Sequence, residues 1–107
     1  MNKFLVETLK PLSIPCFFIQ KPQSFVGDYI AFNYSDEGLA YSNNKREITL
    51  FQATVNIISN DLKRGLELKK QVMQLLSEKE IDARGVPTFY DGDTQSYVFI
   101  LEFDYLM

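Results

Sequence analysis

The stretch EITLFQATVNIIS (Glu47–Ser59) runs directly into DLKRGLELKKQVMQLLSEKE (Asp61–Glu80) and then into Ala83–Leu106, which turns on Tyr90-Asp91-Gly92-Asp93. The first piece alternates with a period of two. Phe51, Ala53, Val55 and Ile57 form one face; Ile48, Leu50, Gln52, Thr54, Asn56 and Ile58 form the other, apolar at its start and polar along its middle. Such a pattern predicts a strand with one face on a core and the other only partly covered. The second piece predicts an amphipathic helix, capped by Asn60 or Asp61, with Leu62, Leu66, Val72, Met73 and Leu76 as its stripe and Leu68 and Leu75 widening it. Lys63, Arg64, Glu67, Lys69 and Lys70 fall around the polar side, which reads as a solvated face.

The third piece predicts a closing β-hairpin. In Ser96–Leu106, Tyr97, Phe99, Leu101, Phe103 and Tyr105 share one parity, so a one-residue slip would expose five large side chains and the register is firmly set. The opposite parity carries Val98 and Ile100, then Glu102 and Asp104. Val98 and Ile100, with Ile48 and Leu50, are therefore placed at a subunit contact. Cover by the N-terminal helix is the plain alternative.

Upstream, Lys3–Lys10 predicts a short helix stopped by Pro11. Ile14–Gln20 is a short apolar run that Pro15 and Pro22 confine to an edge strand or extended segment. Gln23–Gly27 is read as a turn, and Asp28–Ser35 as a strand with Ile30, Phe32 and Tyr34 on one face. Asp36–Arg46 has turn formers at both ends and no sustained period, so it is read as a hairpin loop or an interaction loop. The order is α-β-β-β-α-β-β. The expected class is α+β, a mostly antiparallel sheet with one long helix packed on one face and a short N-terminal helix.

Composition narrows the function classes. The 107 residues suit one domain of modest core, and the formal net charge of −3 without a basic stripe disfavours nucleic-acid wrapping. The longest apolar run, Tyr97–Leu101, is too short for a membrane helix, and MNKFLVETLKP lacks the apolar region of a signal peptide. Tyr29, Tyr34, Tyr90 and Tyr97 would be a stacking platform for single strands if basic residues were interleaved with them; without those, core and strand packing is the better reading. Cys16, the single cysteine, has no internal partner and reads as a small core hydrophobe.

With no histidine in the chain, Ser-His-Asp and Cys-His catalysis and His-based metal sites are removed. The five glycines make no phosphate-binding fingerprint. Asp91-Gly92-Asp93-Thr94 begins like a calcium loop but lacks the remaining ligand spacing, and Asp-Gly is a common turn pair. Asp36/Glu37 and Glu102/Asp104 are carboxylate pairs that nothing in the sequence brings together. No enzymatic activity, cofactor or metal is expected.

The order of pieces resembles the small tail-completion, or tail-terminator, proteins of long-tailed bacteriophages and prophages. The resemblance lies in the N-terminal helix, the Pro-containing Ile14–Gln20, the aromatic strand YIAFNY (Tyr29–Tyr34), the polar SNNK (Ser42–Lys45), the strand end VNIIS (Val55–Ser59), the leucine-rich Leu66–Leu76 and the closing YDGDTQSYVFILEFDY (Tyr90–Tyr105). It implies a structural virion protein that forms a hexameric ring on the head-proximal end of the tail tube and joins it to the head connector. The implied partners are the tail-tube protein, a head-side connector or stopper and further copies of itself, with DNA only as passing cargo and no membrane. The implied location is the virion neck, reached from the host cytoplasm. Tyr41, Asn43, Asn44, Lys45 and Arg46 are then the candidate assembly loop, and Glu102 and Asp104 the candidate lining of a lumen that would repel DNA. Head-closure or connector proteins, a small host-protein-binding module, and a metal-dependent hydrolase using Asp91, Asp93 and Glu102 stand as alternatives.

Overall fold

A computed structural model of the protein describes residues 2–19, 21, 27–42 and 45–107, without the side chains of residues 39–42, 46 and 47. The elements are α1 (Asn2–Leu9), a 3₁₀ turn (Lys10–Leu12), β1 (Cys16–Phe18), β2 (Tyr29–Ser42), β3 (Lys45–Ser59), α2 (Leu62–Glu78), β4 (Arg84–Asp91) and β5 (Ser96–Leu106). The class is α+β, in the predicted order α-β-β-β-α-β-β. The strands form one sheet in the order β1-β2-β3-β5-β4, in which β1 runs parallel to β2 and the other neighbours are antiparallel.

Register fixes the two faces. Ile30 opposes Ile57, Phe32 opposes Val55, and Ala53, Val55 and Ile57 oppose Phe103, Leu101 and Phe99. These side chains are buried with Leu68, Val72 and Leu76 of α2 and with Leu5 and Leu9 of α1. Each large apolar side chain so buried contributes about 1.5–3 kcal/mol relative to exposure. Both helices therefore lie on one face. Phe4 of α1 stacks on Tyr105 at 4.6 Å between ring centroids. The N-terminal helix does not cover Val98 and Ile100, because α1 packs on the opposite side of the sheet.

The stripe of α2 is rotated from the one read in the sequence. Gly65, Leu68, Val72 and Leu76 face the core, whereas Leu62, Leu66 and Met73 are exposed. Gly65 is the cause: the helix seats its glycine on the sheet, and that seat turns Leu66 and Leu62 outward. At the start of α2, the Asp61 carboxylate accepts the Lys63 N–H at 3.1 Å, and the buried Ser59 hydroxyl accepts the Asp61 N–H at 3.2 Å. The helix stops in a Schellman arrangement. Ile81 N–H donates to the Leu76 carbonyl and Glu80 N–H to that of Ser77, with Glu80 left-handed at φ 62°.

Within Asp36–Arg46, read as a loop in the sequence, the described residues are strand. β2 continues to Ser42 and β3 begins at Lys45, so the two strands form a hairpin. Pairing with β3 carries β2 through residues whose local preference is for turns, and the misfit appears as register shifts between Gly38 and Tyr41. On the inner side, β5 ends opposite Leu50, with Met107 and Thr49 exchanging backbone hydrogen bonds of 2.8 and 3.0 Å. On the outer side, β1 ends opposite Phe32, and Ile19 N–H donates to the Phe32 carbonyl. From Gly38 to Ile48 the hairpin is thus a two-stranded ribbon unflanked by other described strands. The radius of gyration, 14.9 Å, exceeds the roughly 13 Å of a compact 100-residue domain, as expected of a projecting arm.

Candidate assembly surface

The face away from the helices is assembled by register. Across it run Tyr29, Ala31, Asn33, Ser35 and Glu37 of β2, Ile58 back to Ile48 of β3, and Val98 to Leu106 of β5. At the end near the β4–β5 turn, Ile19, Lys21, Tyr29, Ala31, Asn56, Ile58, Phe89, Val98 and Ile100 line a hollow of about 330 Å³. Phe89 and Ile19 are 51% and 59% exposed there. The Lys21 ammonium stands 5.9 Å from the centroid of the Tyr29 ring.

The other end of the same face carries Ile48, Leu50 and Leu106. Leu50 lies between Glu37 and Leu106 in register, and Ile48 and Leu106 are 43% and 57% exposed. A polar belt separates the two ends, formed by Asn33, Ser35, Gln52, Thr54, Glu102 and Asp104. The Ser35 hydroxyl meets the Gln52 carbonyl oxygen at 3.5 Å. Leu50 and Ile58 are eight residues apart on β3, hence separated by about 27 Å.

The four residues expected at a subunit contact share this face but do not form one patch. Ile48 and Leu50 stand at the arm end, Val98 and Ile100 in the hollow. Leu106 has the parity of Val98, so following that alternation to the strand end identifies it from sequence. Phe89 is not readable so, because it reaches Val98 only through the register shift between Val86 and Phe89.

Of the expected assembly loop, Tyr41 and Arg46 oppose each other in the ribbon, and Lys45 is exposed opposite Ser42. Asn43 and Asn44 lie outside the described residues. Glu102 and Asp104 are exposed on the belt, and the Arg84 guanidinium lies 3.9 Å from Asp104, which offsets part of the acidic charge.

The chemistry available is sparse. Asp93 N–H donates to the Asp91 carboxylate at 3.0 Å, which makes the Asp-Gly segment a side-chain-stabilised turn. Asp91 opposes Ser96, six residues from Glu102 along β5, so the two carboxylates are about 20 Å apart. Among the described residues no three Asp, Glu or Cys side chains gather as metal ligands. Asp36 and Glu37 point to opposite faces. The four tyrosines do not share a platform either. Tyr34 packs edge-on to Phe51 at the core, Tyr90 on Tyr97, and Tyr29 against Phe17 across the sheet. Burial pushes the Cys16 thiol above its ordinary range, away from nucleophile behaviour.

No protein-family model matches the sequence, and no curated protein is significantly similar to it. Among the described residues no helix is long and apolar enough to cross a membrane. The fold and its surface define a class by shape: a single-sheet α+β domain with a ribbon arm and one partly apolar sheet face that no described element covers.

Proposed function

We propose that this chain is a structural protein of a long-tailed bacteriophage or prophage, one that caps the head-proximal end of the tail tube as a ring and joins the tail to the head connector. The observation that carries the reading is the sheet face opposite the helices, covered by no described element, apolar at both ends and extended by the arm. A face of that kind supports contact with other protein surfaces, whereas the dispersed carboxylates and half-buried thiol give little support to a reaction. The resemblance in order of elements, from the YIAFNY strand to the YDGDT hairpin, supplies the choice of tail completion among assembly roles. The tail-tube protein, a connector or stopper and further copies of the chain are its proposed partners.

Negative-stain microscopy of lysates from a phage or prophage lacking the gene tests this. DNA-filled heads beside unattached tails are the expected outcome, reversed by supplying the chain from a plasmid. Normal infectious particles without the gene would rule the role out.

A further inference from the structure

We propose that the trough beside α2, above β4, docks one amphipathic helix of a partner protein, antiparallel to α2, with leucine-like side chains on its inner face and carboxylates in its last turns. The trough lies on the helix side of the sheet, and the contact holds or fails independently of the tail role.

The helix layer stops short of the sheet edge. α2 lies over β3 and β5, α1 lies towards β1, and neither comes within 8 Å of β4 between Cα atoms. Gly85 and Tyr90 of β4 have the parity of Leu101 and Tyr97 on the helix side, yet both are exposed. Packed helices lie about 8–10 Å apart and strands about 4.8 Å, so a helix beside α2 falls two strands further on, at β4. The side of α2 facing that space is apolar. Leu62, Leu66 and Met73 are spaced by four and seven residues and form one row, with Leu66 and Met73 50% and 38% exposed. Leu66 and Met73, with Ile81 and Ala83, line a trough of about 580 Å³. The Lys69 ammonium reaches over Gly85, 3.2 Å from where a β-carbon on that glycine would stand, which sets this row on the β4 side.

Charge selects the occupant. Lys69 and Lys70 line one end of the trough, and Glu80 and Asp82 line the other, about 15 Å along the α2 axis. None of the four forms an ion pair with a described residue. Lys79 and Arg84 border the two carboxylates from a separate cleft, where Arg84 lies 3.9 Å from Asp104 instead. A helix antiparallel to α2 brings its negative C-terminal end to the lysines and its positive N-terminal end to the carboxylates, and the two macrodipoles oppose. Carboxylates in its last turns then meet Lys69 and Lys70. An added strand is the poorer occupant. Pro87 has no N–H to give, and the register shift between Val86 and Phe89 breaks the edge of β4.

Two synthetic helices of about 16 residues test this, each alanine-based with one leucine row and held helical by a side-chain staple. One carries lysines in its first turn and glutamates in its last; the other has the reverse order. The staple equalises their helicity, because the first order works against the free helix's own dipole. Fluorescence anisotropy against the full chain should show the first peptide bound about tenfold more tightly than the second. Met73→Asp, at an exposed position, should abolish binding, and Lys69→Glu with Lys70→Glu should invert the preference; thermal melting checks that both variants fold. No binding by either peptide would overturn the site, and equal binding of the two orders would overturn the stated chemistry. An unstapled version interrupted by proline that binds as tightly would overturn the helix in favour of an added strand. A concentration-dependent dimer in sedimentation, lost in Met73→Asp, would give the trough to a second copy and overturn the partner helix. The gene-deletion phenotype is read separately, so failure here leaves the tail role standing and failure there leaves the trough.

Discussion

Gly65 lies directly against the edge of the Phe99 ring, so closely that a β-carbon on Gly65 would overlap the ring atoms. Both are buried, Gly65 in the first turns of α2 and Phe99 in β5 opposite Ile57. The glycine lets helix and sheet approach closely at this point. It sets which side of α2 faces inward, and so leaves Leu62, Leu66 and Met73 outside.

Gly65→Ala should therefore destabilise the protein, although alanine is the better helix former by about 1 kcal/mol. Overpacking of a tight core costs about 1–3 kcal/mol, and the displaced ring touches both layers. A fall in Tm of roughly 5–10 °C is expected for a net loss of 1–2 kcal/mol in a domain of this size. Gly65→Ala combined with Phe99→Leu should lose less than the sum of the two single changes, since the second removes the ring edge that the methyl group meets. Additive losses in a denaturant-melt cycle would contradict the contact.

Glu80→Gly should act in the opposite direction. Glu80 holds φ at 62°, in the left-handed region, to close the Schellman stop of α2 over Leu76 and Ile81. A side chain there costs about 1–2 kcal/mol, partly offset by the greater freedom glycine gives the unfolded chain. A net gain of about 0.5–1 kcal/mol is expected, read as a higher urea midpoint at unchanged slope. Glu80→Ala, which keeps the β-carbon, should not reproduce it.

These two positions also mark what the sequence discloses. Strong alternation in Ser96–Leu106 and Glu47–Ser59 carried the sheet and its core face, because a slip in either would expose a row of large side chains. The rotation of α2 was hidden because leucines occur around about half of its circumference, and a glycine contributes nothing to an apolar stripe. The arm was hidden for another reason: Asp36–Ser42 is held extended by its neighbour β3, and no local pattern reports a backbone pairing. The two-patch arrangement needed register, which places Leu106 beside Leu50 and Val98 beside Ile58.

Alkaline pH should weaken the fold. Burial raises the Cys16 thiol, and burial followed by the charge of Asp91 raises the Tyr29 phenol. Both groups keep their protons in the folded chain at pH values where the unfolded chain loses them, so the native state binds more protons and stability declines as pH rises. The contribution is complete below the unfolded values, about 8.5 for the thiol and about 10 for the phenol, and is lost above them. Urea midpoints measured from pH 7 to 10.5 should fall across that window. Cys16→Ala should remove the earlier part of the fall, and Asp91→Asn should bring the Tyr29 phenol down in a spectroscopic titration. A midpoint that rises over this range would contradict the burial of both groups.

The arm can be separated from the body, because among the described side chains the buried core residues lie outside it. Glu37 and Leu50 face each other in register at its base. Excising residues 38–49 and joining Glu37 to Leu50 through Asn-Gly, a pair suited to a tight hairpin turn, should leave the sheet and helices in place. The loss should be confined to the backbone pairing of Thr49 with Met107 and to Ile48, so Tm should stay within a few degrees of the parent. If the arm is the part that reaches a neighbouring subunit or tube, the shortened chain should fold, melt cooperatively and still fail to restore tail attachment in a lysate lacking the gene. A shortened chain that restores particles fully would remove the arm from the assembly contacts. A chain that no longer melts cooperatively would instead show that the arm supports the body, against the placement of the core in the sheet beneath α1 and α2.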